Sequence, residues 1–125
     1  MAGLGDQLAF RLGNGRFQDI DDLTGTFAQA VDYAPVLLLT HETDIFTKVA
    51  QTMARTLSGH THGGQVRLFG WSPIVPSRYG NRYAYGHIHE DNRDLVVSGG
   101  FGCSIALVRF GVTPEVTLVI LEAGV

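Results

Sequence analysis

Three histidines stand in a pattern that can bind metal ions. His60 and His62 lie two residues apart within the segment Gly59–Gln65 (GHTHGGQ), and His41 lies upstream of them. In extended backbone, residues two apart project to the same side, and the flanking glycines permit a tight turn around them. A neutral imidazole nitrogen is a good ligand for Mn, Fe, Zn or Ni, and two such ligands can serve two ions that share a bridge. The alternative is a surface His-x-His on a loop, because short motifs have many false matches.

The elements next to these histidines predict strands that end at the site. Val36–Leu39 is a continuous apolar run, which is typical of a strand buried on both faces, and His41 follows its end. Thr56–Ser58 predicts a second short strand that leads into His60. Open sheets collect polar residues where their strands end, so we expect His41 to converge on the same site.

The remaining elements complete the expected α/β architecture. Asp21 and Asp22 precede apolar residues at helical spacing up to Val31, which predicts a capped helix, and Asp44 is predicted to cap a second helical stretch reaching Met53. The Asp91-Asn92 pair predicts a hairpin turn, and residues 71–77 an irregular excursion. Further strands are predicted at Gln65–Phe69, Tyr83–His89, Leu95–Ser98, Ala106–Arg109 and Val116–Leu121.

Bulk composition predicts one domain over residues 1–125. The chain has 45% hydrophobic residues, enough for a buried core in a single unit. A net charge of −3 argues against general electrostatic binding of nucleic acid or anionic lipid. The single cysteine, Cys103, excludes an internal disulfide and leaves the cellular compartment open. The sequence has neither a signal-peptide pattern nor an apolar run of about 18 residues, so we expect a soluble chain.

A family resemblance adds to these patterns. Leu37–Asp44 followed by Leu57–Gln65 resembles the last two metal motifs of the calcineurin-like metallophosphoesterases. The segments Pro76–Gly80, Val97–Gly100 and Pro114–Val116 resemble the tail of bacterial members from a phosphodiesterase branch. The resemblance covers nearly the whole chain. It implies an α/β (α+β) fold that is half of the metallophosphoesterase sandwich, a mostly β mixed sheet with about two short helices on one face.

The resemblance also implies roles for individual residues. His41 and His60 would ligate one divalent ion of a pair and His62 the other, with Mn, Fe, Zn or Ni as candidates. The pair would activate a hydroxide that hydrolyses a phosphomonoester or phosphodiester, in a small-molecule or lipid-linked substrate. Arg78 and Tyr79 are candidates for contacting the substrate, although a solvated arginine beside core tyrosines explains them equally well. Glu42 and Asp44 flank His41 and are candidates for orienting its imidazole.

Other parts of the family pattern do not occur in this sequence. The Asp-x-His, Gly-Asp-x-x-Asp and Gly-Asn-His motifs are absent, and Gly3–Asp6 resembles the strand and turn that open the second half of the family domain. This would place the missing half upstream of Met1 and leave the chain impaired in catalysis by itself. Half a sandwich should expose an apolar face, which predicts a homo-oligomer. The alternative function is a non-catalytic metal-binding or self-associating module.

Two further features have simpler interpretations. His87 and His89 form a second His-x-His, which we interpret as polar positions on the exposed face of a strand. Cys103 has no evident base beside it in the sequence and is interpreted as a packed residue.

Overall fold

A computed structural model describes residues 1–6, 10–14, 16–18, 20–30, 34–50, 55–104 and 106–122. A five-stranded mixed sheet organises these residues, and its strands lie in the order β1 (Ala2–Gly3), β4 (Leu37–Leu39), β5 (Arg55–Ser58), β7 (Arg93–Val97) and β6 (Gly86–Glu90). The first four strands in that order run parallel, and β6 pairs with β7 in the antiparallel sense. A separate two-stranded ribbon consists of β2 (Phe10–Gly13) and β3 (Arg16–Gln18).

The predicted strand at Val36–Leu39 is confirmed as β4, which pairs with β1 on one side and β5 on the other. Its expected burial on both faces is wrong, because Leu38 is fully buried whereas Leu39 is 39% exposed. Successive residues of a strand point to opposite faces. One face of the sheet is therefore packed, and the other is partly open at this strand.

The helical segments are shorter than the sequence suggests. Helix α1 (Leu23–Ala28) begins where expected, and the Asp22 carboxylate accepts a hydrogen bond of 2.8 Å from the Gly25 amide. Val31 and Met53 lie outside the described residues. The second helical stretch is a 3₁₀ helix, Thr43–Lys48, and two shorter 3₁₀ helices span His62–Gly64 and Gly80–Tyr83.

The expected capping role of Asp44 is wrong. The N-cap position of the 3₁₀ helix is occupied by Glu42, whose side chain makes no capping hydrogen bond. The Asp44 carboxylate instead accepts hydrogen bonds from the Ser77 hydroxyl at 2.6 Å and the Arg78 amide at 2.9 Å. Asp44 therefore ties the excursion at residues 71–77 to the segment that follows His41.

The hairpin between β6 and β7 is confirmed. Asp91 and Asn92 have φ of 50° and 59°, the left-handed backbone that two-residue hairpin turns require. Three of the predicted strands are wrong. Residues 65–69 contribute only isolated bridges, Val66 to Phe110 and Leu68 to Trp71, and the described residues of 106–109 and 116–121 form no strand. Suitable residue types do not make a strand without a partner strand in register.

The core lies on the packed face of the sheet. Phe46, Tyr83, Leu95 and Val97 form one buried cluster. The buried Arg93 side chain lies 4.8 Å from the Phe46 ring centroid and donates to the Phe46 and Val49 carbonyls at 2.8 and 2.9 Å. These contacts fasten the 3₁₀ helix after His41 to β7.

Glu115 predicts how stability changes with pH. Hydrogen bonds from the Tyr85 hydroxyl and the Gly99 amide hold the pKa of Glu115 below its ordinary value of 4.5. The charged form of Glu115 therefore stabilises the folded protein above pH 4.5. This stabilisation is lost as the pH falls through the pKa that Glu115 has in the folded protein. Glu115→Gln should lower the unfolding free energy at pH 7 by about 1 to 2 kcal/mol. Chemical denaturation at pH 7 and pH 3 should show this difference shrinking in acid, and an equal difference at both values would contradict it.

Candidate metal centre

His41 and His60 meet at one edge of the sheet. His41 follows β4 and His60 follows β5, and these parallel neighbours end side by side. His41 Nε2 lies 3.0 Å from His60 Nδ1, and the ring centroids are 4.7 Å apart at an angle of 64°. The predicted convergence of His41 with the second motif is therefore present in the structure.

Backbone contacts fix the two histidine segments against each other. The His41 carbonyl accepts from the Ser58 hydroxyl at 2.8 Å and from the Gly59 amide at 3.3 Å. His60 and His62 then adopt φ of 65° and 51°, a left-handed conformation that few residues other than glycine occupy. Such conformations cost energy and cluster at ligand sites, where the surrounding structure maintains them.

Close packing requires glycine at two positions of the motif, Gly63 and Gly64. A Cβ on Gly63 would lie 2.7 Å from Val112 Cγ1, and a Cβ on Gly64 would lie 2.5 Å from Ser72 Cβ and Oγ. Thr61 is buried and donates its hydroxyl to the Ala84 carbonyl at 2.6 Å. The loop that presents His60 is thus held between neighbouring segments with no room for added side chains at these glycines.

Gln65 fastens the motif to a second loop. Its side-chain carbonyl accepts from the Ser104 amide at 2.6 Å, and its amide donates to the Ala106 and Val108 carbonyls at 2.6 and 2.9 Å. The sequence reasoning assigned Gln65 no such role, although its place in the motif was visible. The residues that it contacts are about 40 positions away in sequence, so only the fold reveals the function of this side chain.

The electrostatics of His60 suit a metal ligand. Burial lowers the pKa of His60, with further lowering by His41 and His62, whereas Asp6 and Asp44 act in the opposite direction. The imidazole is therefore neutral at pH 7, which is the form that binds metals. His60 Nε2 is buried and accepts or donates no hydrogen bond among the described residues. A coordinated cation would satisfy that nitrogen.

Glu42 joins the two histidines. Each of His41, Glu42 and His60 has one ligand atom that lies within 4.8 Å of the ligand atoms of the other two. Among the described residues, these three form the group of His, Cys, Asp or Glu side chains that could hold a metal ion. Two imidazoles and a carboxylate suit a divalent transition metal, so the residues fit the ion that the sequence predicts. His62 is outside this group and lies next to Gly102, where an added Cβ would be 3.5 Å from His62 Cε1. Assignment of His41, His60 and His62 as ligands stays a prediction.

Arg78 and Tyr79 directly follow the excursion at residues 71–77, and the Arg78 amide donates to the Asp44 carboxylate. Both side chains are exposed, and the Tyr79 hydroxyl lies 3.2 Å from Thr47 Oγ1. The Tyr79 ring also packs against the buried Tyr83 ring with centroids 5.3 Å apart. Their role in binding substrate stays a prediction.

The second His-x-His is on the surface, as interpreted from the sequence. His87 and His89 are exposed on β6, and both hydrogen-bond to Asp94 Oδ1, at 2.8 and 2.9 Å. Cys103 is half-buried, and its packing role stays a prediction.

Comparison with known proteins supports the family. No family model matches the chain, and no solved structure matches it. A curated protein of Bacillus subtilis (strain 168), named "Uncharacterized metallophosphoesterase YkuE", is 34% identical over 103 residues, which cover 82% of this chain. These residues are 36% of the relative, so the chain spans about a third of its length. The resemblance to the metallophosphoesterases is confirmed, and the five-stranded mixed sheet with few short helices agrees with half of their fold.

Among the residues that the structure describes, none of the helices has both the length and the apolar character needed to cross a bilayer.

Proposed function

We propose that this chain supplies part of the metal centre of a phosphoesterase that hydrolyses phosphomonoesters or phosphodiesters. The observation that carries the proposal is the approach of His41 Nε2 to 3.0 Å from His60 Nδ1 at the ends of two parallel strands. Similarity to a metallophosphoesterase over 82% of the chain supports the same reaction class.

Different residues would bind the ions, support the loop and contact the phosphate. His41 and His60 would hold one ion, and His62 would hold a second. Bound divalent ions supply Lewis-acid stabilisation of the phosphoryl oxygens and lower the pKa of a bound water toward 7. Partial burial of His60 keeps its imidazole neutral, and Gln65 with Gly63 and Gly64 maintains the loop that presents it. Arg78 is exposed beside this region and is suited by its fork of donors to a phosphate oxygen.

Full activity needs ligands that these 125 residues do not contain. The carboxylates of the Asp-x-His and Gly-Asp-x-x-Asp motifs are absent from the sequence. We therefore expect slow turnover from this chain alone, because those carboxylates would supply part of the ligand set of the ions. Substrate class, including a lipid-linked phosphoester, follows from the resemblance and is part of the proposal.

A hydrolysis assay tests the proposal. The chain is assayed with Mn²⁺ and a chromogenic phosphodiester, alone and together with a polypeptide that carries the three absent motifs. We expect little turnover alone and at least 100-fold more with that polypeptide, the scale of one electrostatic contribution to catalysis. Equal rates in the two samples would contradict the expectation that the site needs ligands from the absent motifs. The absence of hydrolysis in both samples would contradict the proposed function.

A self-associating module without turnover is the second candidate. It is favoured by large apolar side chains at the surface, including Phe69, Leu107 and Leu118, the last 83% exposed. Where such side chains form a contiguous patch, the patch commonly marks a contact surface. Sedimentation of a stable homo-oligomer together with absent hydrolysis would favour this candidate, and a monomer would count against it.

A further inference from the structure

Glu42 is a buried carboxylate beside two imidazoles. It is 4% exposed, and its ligand oxygen lies within 4.8 Å of the ligand nitrogens of His41 and His60. Burying a carboxylate costs free energy unless it is paired, hydrogen-bonded or coordinated to a cation. The position therefore places negative charge where the proposed ion would be bound.

The local backbone explains why adjacent residues reach one site. In a continuing strand, the side chains of residues 41 and 42 would point to opposite faces. Here β4 ends at Leu39, and the chain turns into the 3₁₀ helix that begins at Thr43. The Thr40 hydroxyl donates to the Glu42 carbonyl at 3.2 Å across this turn. The Glu42 side chain makes no capping hydrogen bond to this helix.

We propose that Glu42 is a direct metal ligand, and that this chain alone holds one divalent transition-metal ion through His41, Glu42 and His60. The inference rests on the proposed metal centre and adds a ligand to it. Two imidazoles and a carboxylate leave open positions for water or a phosphoryl oxygen. His62 is outside this group, so the single ion does not require it.

Metal affinity tests the contribution of the carboxylate. The metal-free protein is titrated with Zn²⁺ against a chromophoric chelator, and we expect one ion bound per chain. Glu42→Gln removes the charge while keeping the shape, and should weaken binding at least 10-fold, as loss of a coordinating or supporting group does. Glu115→Gln is the matched control, a half-buried carboxylate distant in sequence, and should change the affinity less than twofold. Equal affinities for Glu42→Gln and the native chain would overturn the proposal, as would the absence of zinc binding.

A second measurement separates a ligand from a residue that only orients His41. Pulsed electron paramagnetic resonance of the Cu²⁺-loaded protein counts the imidazoles bound to the ion. We expect two in the native chain, still two in His62→Ala, and three in Glu42→His, because the new imidazole would enter the coordination shell. A count that stays at two in Glu42→His would overturn the proposal. Metal binding is read without substrate, so failure of hydrolysis with these counts intact would contradict only the proposed function.

Discussion

Replacement of His60 by alanine is expected to lower metal affinity by more than about 100-fold, since even the loss of a supporting residue costs about 10- to 100-fold. The imidazole is half-buried and neutral, and its Nδ1 lies 3.0 Å from His41 Nε2. In the assay with the polypeptide that carries the three absent motifs, the rate of hydrolysis should fall by about 10³-fold. This is the upper range for removing one electrostatic contribution to catalysis. Isothermal titration and the phosphodiester assay measure the two effects.

Two further variants make this result interpretable. His87→Ala removes an exposed histidine from the second His-x-His and should leave metal affinity and hydrolysis unchanged. His60→Asn retains a residue type that tolerates the left-handed backbone at φ of 65°, so it separates loss of the imidazole from strain. Native affinity in both His60 variants would show that the imidazole does not bind metal.

The second large effect concerns Gly64. An added Cβ would lie 2.5 Å from Ser72 Cβ and Oγ, at a backbone φ of 83°. Ser72 cannot turn away cheaply, because it is buried and its hydroxyl bonds the Gly64 and Ile74 carbonyls at 2.8 and 2.9 Å. Gly64→Ala should therefore lower the unfolding free energy by about 2 to 4 kcal/mol, from left-handed strain and overpacking together. Urea denaturation measures the loss.

Gly70 is a matched control for this substitution. It has the same φ of 83°, and a Cβ there would meet no atom within 4 Å. Gly70→Ala should therefore show the backbone strain alone, about 1 to 2 kcal/mol. Equal losses in the two variants would mean that contact with Ser72 is not the reason for glycine at position 64.

The sequence predicted those parts of the site that depend on local pattern. An apolar run followed by His41, and a short strand followed by His60, sufficed to place the two histidines at one edge of a sheet, because parallel neighbours end together. The Asp91-Asn92 turn was likewise readable, since few residues adopt left-handed backbone.

The features of the fold and the site that the sequence did not predict depend on contacts between segments that are distant in the sequence. Asp44 has the residue type of a cap, yet its carboxylate bonds Ser77 and Arg78, more than 30 positions away. Residues 116–121 have the residue types of a strand but pair with no other strand among the described residues. Glu42 entered the ligand group only because the chain turns between β4 and the 3₁₀ helix. Local pattern contains none of this information.

Anomalous diffraction from crystals of the Zn²⁺-loaded protein tests the central claim most directly. We expect a zinc peak about 2.0 to 2.1 Å from imidazole nitrogens of His41 and His60, the usual coordination distance. A carboxylate oxygen of Glu42 should complete the set. Zinc bound elsewhere, for example at His87 and His89, with no peak between His41 and His60, would contradict a metal centre at the ends of β4 and β5.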